Sequence, residues 1–314
     1  MRLAFLFPGQ GSQYVGMGRA LGDAVPPARE TLAEADAALG RPLTALCFEG
    51  PEEDLRITWN TQPAILTASV ACLRALRAAG APEPLFCAGH SLGEYSALVA
   101  AGALDFADAL RIVEQRGRFM QEAVPLGTGV MHAVLGLDAD AVTAVCAAVS
   151  REGQVVELAN DNCPGQVVIS GHTAAVEEAS RRLKEAGAKR AVPLPVSAPF
   201  HCSLMAPAGE RLAGVLANAA VAPPRIPVVA NVDAQPNRDA ARVRALLVRQ
   251  MSSPVRWQEC VKALAAEGVD TFVEVGPGKV LSGLVKRIVP SAAIYNVEDP
   301  ASLDAFLAAA GSTR

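Results

Sequence analysis

Apolar positions in this chain come in short runs that end on glycine and proline, and the runs alternate with longer stretches of helical period. Leu3–Phe7 is continuously apolar and closes on Pro8-Gly9-Gln10-Gly11-Ser12-Gln13, the form of a buried strand followed by a tight turn. A helix is predicted over about residues 63–79. A second apolar run at 85–88 meets Gly89-His90-Ser91-Leu92-Gly93, and helix-forming residues then continue to 103. Strand, turn and helix in alternation predict a parallel sheet with crossover helices. Residues 228–230, and Thr271–Val275 with its Gly276-Pro277-Gly278 turn and following helix, resume the pattern late in the chain.

The middle of the chain has a different order. Strands are predicted at 130–137, 155–159, 166–170 and 190–194, with helices at 139–150 and 173–186. The resulting β-α-β-β-α-β series is the ferredoxin-like unit, bracketed by Pro125-Leu126-Gly127 and by Pro193, Pro195 and Pro199. We expect an inserted small domain at 126–198. The large α/β domain would then be discontinuous, at 1–125 and 199–314, with a ligand cleft between the two.

Composition narrows the classes. Hydrophobic residues are 51% of the 314 and charged residues 19%, with a mean hydropathy of +0.26, which excludes a disordered chain. The cleanest apolar stretch, residues 98–104, is far shorter than the ~18–20 residues of a membrane span. Aromatics are only 4%, so the core must be built from Ala, Val and Leu. A net charge of −4 argues against nucleic acid as a partner. The seven cysteines and four histidines lack metal-ligand spacing, with no Cys-x-x-Cys pair. No metal site is expected, and reduced thiols in a cytoplasmic protein are.

Gly89-x-Ser91-x-Gly93, between a strand and a helix, has the form of a nucleophile elbow. The alternative is a tight turn with a capping serine. A serine nucleophile needs a base. His90 adjoins Ser91 and should point away from it, while His132 and His172 belong to the predicted small domain. His201, in Ala198-Pro199-Phe200-His201 where the chain returns to the large domain, is the candidate.

The predicted helix Phe106–Glu122 has Asp105 as N-cap and a buried stripe of Phe106, Leu110, Val113, Gly117 and Met120. Arg111 and Arg118 have acids three or four residues away. Arg116 has Ile112, Val113, Phe119 and Met120 there instead, so it extends the apolar face and needs a carboxylate from elsewhere, either in the protein or in a ligand. The glycine turns are not nucleotide sites: Tyr14 stands where a dinucleotide fingerprint needs its third glycine, and Val280 follows Gly278-Lys279 where a P-loop needs serine or threonine. Gln10, directly after the first strand, and Leu92 are placed to offer backbone N–H groups to one oxyanion.

These motifs, with Thr61-Gln62-Pro63-Ala64, Gln115-Arg116-Gly117, Asn162-Cys163-Pro164-Gly165-Gln166 and Glu274-Val275-Gly276-Pro277-Gly278-Lys279-Val280-Leu281, resemble the bacterial malonyl-CoA:acyl carrier protein transacylases over essentially the whole chain. The resemblance implies an α/β-hydrolase-like large domain with a ferredoxin-like insert. It implies ping-pong transfer of malonyl from malonyl-CoA to the phosphopantetheine thiol of acyl carrier protein, for fatty acid synthesis, without a cofactor.

By the same resemblance Ser91 is the acylated nucleophile and His201 its base and acid, oriented by the Gln250 carbonyl. Gln10 and Leu92 form the oxyanion hole, and Arg116 clamps the malonyl carboxylate. Gln62, Asn162 and Val280 fall near the site. Leu92 and Phe200 fit the pattern that goes with malonyl over methylmalonyl. Lys189, Arg190, Lys286 and Arg287 are candidates for holding the acidic carrier, against the alternative of solvated surface charge. A monomer without membrane contact is expected. Two rivals are weighed: a serine hydrolase, disfavoured by the long chain after His201 and by Arg116, and a non-catalytic carrier-binding protein, disfavoured by the intact Ser91 and His201.

Overall fold

The computed structural model describes residues 1–196 and 198–311. Residue 197 and residues 312–314, which the expected segments 126–198 and 199–314 include, lie outside the described residues. In chain order the strands are β1 (Leu3–Phe7), β2 (Phe86–Gly89), β3 (Gly129–Leu135), β4 (Val156–Cys163), β5 (Gln166–His172), β6 (Arg190–Pro193), β7 (Val228–Val229), β8 (Pro236–Asn237), β9 (Thr271–Val275) and β10 (Ala293–Val297). One sheet has the order β10-β9-β1-β2-β7-β8. It is parallel except at one edge, where the two-residue β8 runs antiparallel to β7.

Both faces of this sheet are buried, as a parallel sheet requires, and β1 displays the division residue by residue. Leu3, Phe5 and Phe7 enter a core with Ile65, Leu66, Tyr95 and Val113. Ala4 and Leu6 enter a second core with Trp257, Val261, Leu281, Leu284 and Val285. Alanines are frequent beside leucines where helices meet the first core, which lets those helices approach the sheet closely and fits the alanine-rich, aromatic-poor composition.

The second sheet has the order β4-β5-β3-β6 with every neighbouring pair antiparallel. Val134, Val167 and Ile169 pack with Val142, Cys146, Val176 and Leu183 from helices Ala139–Val149 and Thr173–Glu185. Met131, Ala159 and Val168 join the first core of the large sheet. One sheet face thus holds its own helices and the other closes on the rest of the molecule. The end of β4 is stitched there by Asp161 N–H donating to the Val255 carbonyl and Val255 N–H to the Ala159 carbonyl, both at 2.9 Å.

Several boundaries differ from expectation. The helix predicted from 63 begins earlier, as Thr58–Ala78, with Pro63 inside it; near a helix start, proline removes only one backbone bond. β4 runs on to Cys163 through two register shifts, which carries Asn160 and Asn162 into a strand. β8, β10 and the helix Pro300–Gly311 had no counterpart in the sequence reading. All seven cysteines are free and buried. Among the described residues no helix is long and apolar enough to cross a membrane, and no cluster of three or more His, Cys, Asp or Glu could hold a metal.

Candidate active site

The turn after β2 is forced by close approach. A Cβ on Gly89 would lie 1.9 Å from the Gly93 carbonyl carbon, and one on Gly93 would lie 2.0 Å from the Phe7 carbonyl oxygen. Only glycines allow the chain to fold back this tightly beside β1. Between them Ser91 takes φ 50°, a left-handed conformation that is strained for any residue with a Cβ. Asn231, just past β7, holds it: its Oδ1 accepts from Ser91 N–H at 2.7 Å and its Nδ2 donates to the Gly89 carbonyl at 2.8 Å.

Ser91 Oγ lies 2.7 Å from His201 Nε2, and His201 Nδ1 lies 2.9 Å from the Gln250 carbonyl. A carbonyl only accepts, so Nδ1 carries the hydrogen and Nε2 is left free to accept from the serine hydroxyl. His201 is buried, and burial, followed by the Arg116 charge, pushes its pKa down to about 3. The imidazole is therefore neutral and proton-accepting at neutral pH. His201 also has a left-handed backbone, at φ 58°.

The other histidines are engaged elsewhere. His90 lines the same cavity as Ser91 but bonds Asn162 Oδ1 at 2.9 Å and packs its ring 5.6 Å from that of Trp257. His132 bonds Ser180, and His172 accepts from Val155 N–H.

Arg116 is 1% exposed, on a helix whose N-cap Asp105 accepts from Ala107 and Asp108 N–H groups. Its partners are all neutral. Nη1 donates to Gln62 Oε1 at 2.8 Å, and Nη2 donates to Gln250 Oε1 at 2.9 Å and to Ser91 Oγ at 3.0 Å. Its Nε is buried without an acceptor, and the guanidinium lies 5.4 Å from the centre of the Tyr95 ring. Arg111 and Arg118 make the surface pairs expected of them, with Asp108 and Glu114.

A small cavity of about 100 Å³ is lined by Gln10, Ser91, Leu92, Arg116, Phe200 and His201, together with Met120, Met131, Asn160, Leu194 and Val196. Leu92 is the N-cap of helix Gly93–Ala100, so its N–H has no acceptor within the helix. Gln62 and Gln250 stand behind the cavity through Arg116. Asn162 meets it only through His90. Val280 is 50% exposed at the start of helix Val280–Ile288 and does not line the cavity.

The four basic candidates do not line it, and two of them, Lys189 and Arg287, come to one corner. Gly136 N–H donates to the Gly165 carbonyl; Lys189 packs over Gly136, and Arg287 reaches beside Gly165. Arg287 also donates to the Pro164 carbonyl and to Gln166 Oε1, clasping the β4–β5 hairpin.

Sequence reasoning missed Glu94 and Asn231. Glu94 reads as an ordinary acid in the first turn of a helix, and Asn231 follows a strand of two residues, so neither carried a signal.

A serine hydrogen-bonded to a histidine, and a buried arginine with only neutral partners, around one cavity are joined by a match in sequence. Residues 4–302 match the model of the acyl transferase domain. The chain belongs to this acyl transferase family. It is similar to the malonyl CoA-acyl carrier protein transacylase of Salmonella typhimurium, 55% identical, covering 98% of this chain and 99% of that protein. The protein of the same name from Bacillus subtilis is 52% identical, covering 96% and 95%. The crystal structure of an acyl carrier protein S-malonyltransferase from Vibrio cholerae superposes with a TM-score of 0.95 at 51% identity, covering 98% of this chain and all of that one. A malonyl-transacylase solved in complex with a type II PKS acyl-carrier protein gives 0.96 at 50% identity, covering 98% and 100%. The protein is an acyltransferase.

Proposed function

We propose that the protein transfers malonyl from malonyl-CoA to the phosphopantetheine thiol of acyl carrier protein, supplying fatty acid synthesis. Ser91 Oγ attacks the thioester carbonyl while His201 Nε2 takes its proton. The proton passes to the departing CoA sulfur, leaving malonyl-Ser91 and CoA thiol. The carrier thiol then gives its proton to His201 and attacks the ester, regenerating Ser91. Backbone N–H groups of Gln10 and Leu92 stabilise the oxyanion in both halves, and the Gln250 carbonyl keeps the imidazole in the needed tautomer. Leu92 and Phe200 wall the acyl pocket, Gln62 holds Arg116 behind it and Asn162 acts on it through His90, while Val280, outside the pocket, is left a candidate for the part of the substrate that projects from it.

The observation that carries this reading is Arg116: a buried guanidinium with only neutral partners, 3.0 Å from the nucleophile. An acyl chain ending in a carboxylate would pair with it. The malonyltransferases at half identity or better agree in substrate.

We further propose that residues 126–198 form a ferredoxin-like domain inserted into an α/β-hydrolase-like domain at 1–125 and 199–314. The all-antiparallel order β4-β5-β3-β6 and the separate core of that sheet support this. Lys189 and Arg287, brought together over Gly136 and Gly165, support contact with the acidic carrier there, with the neighbouring Arg190 and Lys286 as further candidates. We take the protein to be a cytoplasmic monomer that needs no cofactor.

The test is mass spectrometry of the protein mixed with malonyl-CoA. A malonyl adduct on Ser91, stable until acyl carrier protein is added, supports transfer. Rapid release of free malonate, or a Ser91→Ala protein that still transfers, overturns it.

A further inference from the structure

Arg116 has a counter-charge at one remove. Glu94 Oε2 accepts from Gln250 Nε2 at 2.8 Å and from Asn231 N–H at 2.9 Å, and the other end of the same Gln250 amide accepts from Arg116. An acceptor-only carboxylate at one end and a donor-only guanidinium at the other fix that amide in one orientation. Glu94 is 3% exposed. The charged group drawing it toward ionisation is Arg116, on helix Phe106–Glu122; Asp233, past β7, opposes ionisation. Of its remaining titratable neighbours, Cys260 on helix Trp257–Ala266 and Tyr95 beside it both have pKa values raised by burial and stay neutral. Its N–H donors tie it to Ser91 as well, because Asn231 Oδ1 holds Ser91 N–H and Gln250 Nε2 reaches the Ser91 carbonyl at 3.1 Å.

We propose that Glu94 is the counter-ion of Arg116 in the unacylated site and takes up a proton when a carboxylate-bearing acyl group pairs with Arg116. Glu94 is thereby a specificity-determining residue. The proposal rests on the reading of Arg116 given above. Two carboxylates around one buried guanidinium leave one negative charge in excess in a low dielectric, and the cheapest remedy is to neutralise the one already desolvated. Burial raises the Glu94 pKa to about 7, so the proton is available near neutrality. The acylation balances without it: Ser91 and malonyl-CoA give malonyl-Ser91 and CoA thiol, and the added proton comes from solvent.

The consequence is a pH-dependent choice of acyl group. Both malonyl-CoA and acetyl-CoA carry the CoA phosphates and both use His201, so the ratio of their kcat/KM values cancels these titrations. In the wild type that ratio should fall about tenfold between pH 6 and pH 8.5 as Glu94 ionises and repels the incoming carboxylate. In Glu94→Gln it should be flat, and higher than wild type at pH 8.5. A flat wild-type ratio, or the same slope in Glu94→Gln, overturns the proposal.

Should Glu94→Gln fail to fold, the wild type answers alone. At pH 8, a pH-indicator dye should register proton uptake on stoichiometric malonylation and none on acetylation, and equal uptake overturns the proposal. Arg116→Ala separates the two levels. If it keeps the malonyl preference, the reading of the site itself is wrong. If it loses that preference while the wild-type ratio stays flat, only the role of Glu94 is wrong.

Discussion

Arg116 Nη2 donates to Ser91 Oγ across 3.0 Å, so the arginine touches the nucleophile before any substrate arrives. In the proposed mechanism an acyl carboxylate takes over that guanidinium once Ser91 is esterified. We predict that Arg116→Ala loses malonyl-CoA activity by about 2–5 kcal/mol, the cost of losing a desolvated charge pair, or roughly 30-fold or more in kcat/KM. Acetyl-CoA activity should rise relative to it. Kinetics with both thioesters check this, and unchanged selectivity would return Arg116 to a purely structural role.

His201 makes stability pH-dependent in a definite direction. Its native pKa is about 3, against an ordinary 6.5. Below 6.5 the unfolded chain binds a proton there that the folded one refuses. This contribution is complete above pH 6.5 and drains away as pH falls toward 3. At pH 5 the loss is about 2 kcal/mol relative to pH 7.5. Urea unfolding at the two pH values should show that difference shrinking by about this amount in His201→Gln.

Glycines at the elbow and on the surface should respond with opposite signs. In Gly93→Ala the new methyl meets the Phe7 carbonyl at 2.0 Å, backbone that cannot step aside, and a cost of about 3 kcal/mol with loss of activity is expected. Gly214→Ala, on helix Ala206–Ala217, meets nothing within 4 Å and should stabilise by about 0.5–1 kcal/mol. Denaturant midpoints distinguish the two.

Arg287 and Lys286 are adjacent in sequence but differ in contacts. Arg287→Ala releases the Pro164 carbonyl and Gln166. It should speed amide hydrogen exchange in the β4–β5 hairpin and cost about 1 kcal/mol. Lys286→Ala should weaken carrier binding, read as a higher KM for acyl carrier protein, with hairpin exchange unchanged. Identical exchange in the two variants would mean that the clasp has no role in holding the hairpin.

What was legible in the sequence followed from local chemistry. Gly89 and Gly93 announce a tight turn around Ser91, and four positions of helical spacing set Arg116 apart from Arg111 and Arg118. The side chain of Gln250 was not legible: its carbonyl could be foreseen through the resemblance, but its amide, which bridges Arg116 and Glu94, depends on helix Ala240–Met251 docking beside the elbow. Tertiary partners also rewrote the ion pairs. Glu114 is shared between Arg118 and the distant Arg41, and Glu122 pairs with Arg211 in place of Arg118. No window along the chain contains such choices.

The serine and its base are 110 residues apart in the chain, and the Ser91 carbonyl and its Gln250 contact are 159 apart. A ribosome-bound chain that has emerged only as far as the second sheet already carries Ser91. It lacks the imidazole that would activate it and the Asn231 clamp that sets its backbone. On the proposed roles, reactivity toward thioesters would wait until His201, Asn231 and Gln250 have been made and have docked against the elbow. The long reach of these contacts also favours slow folding.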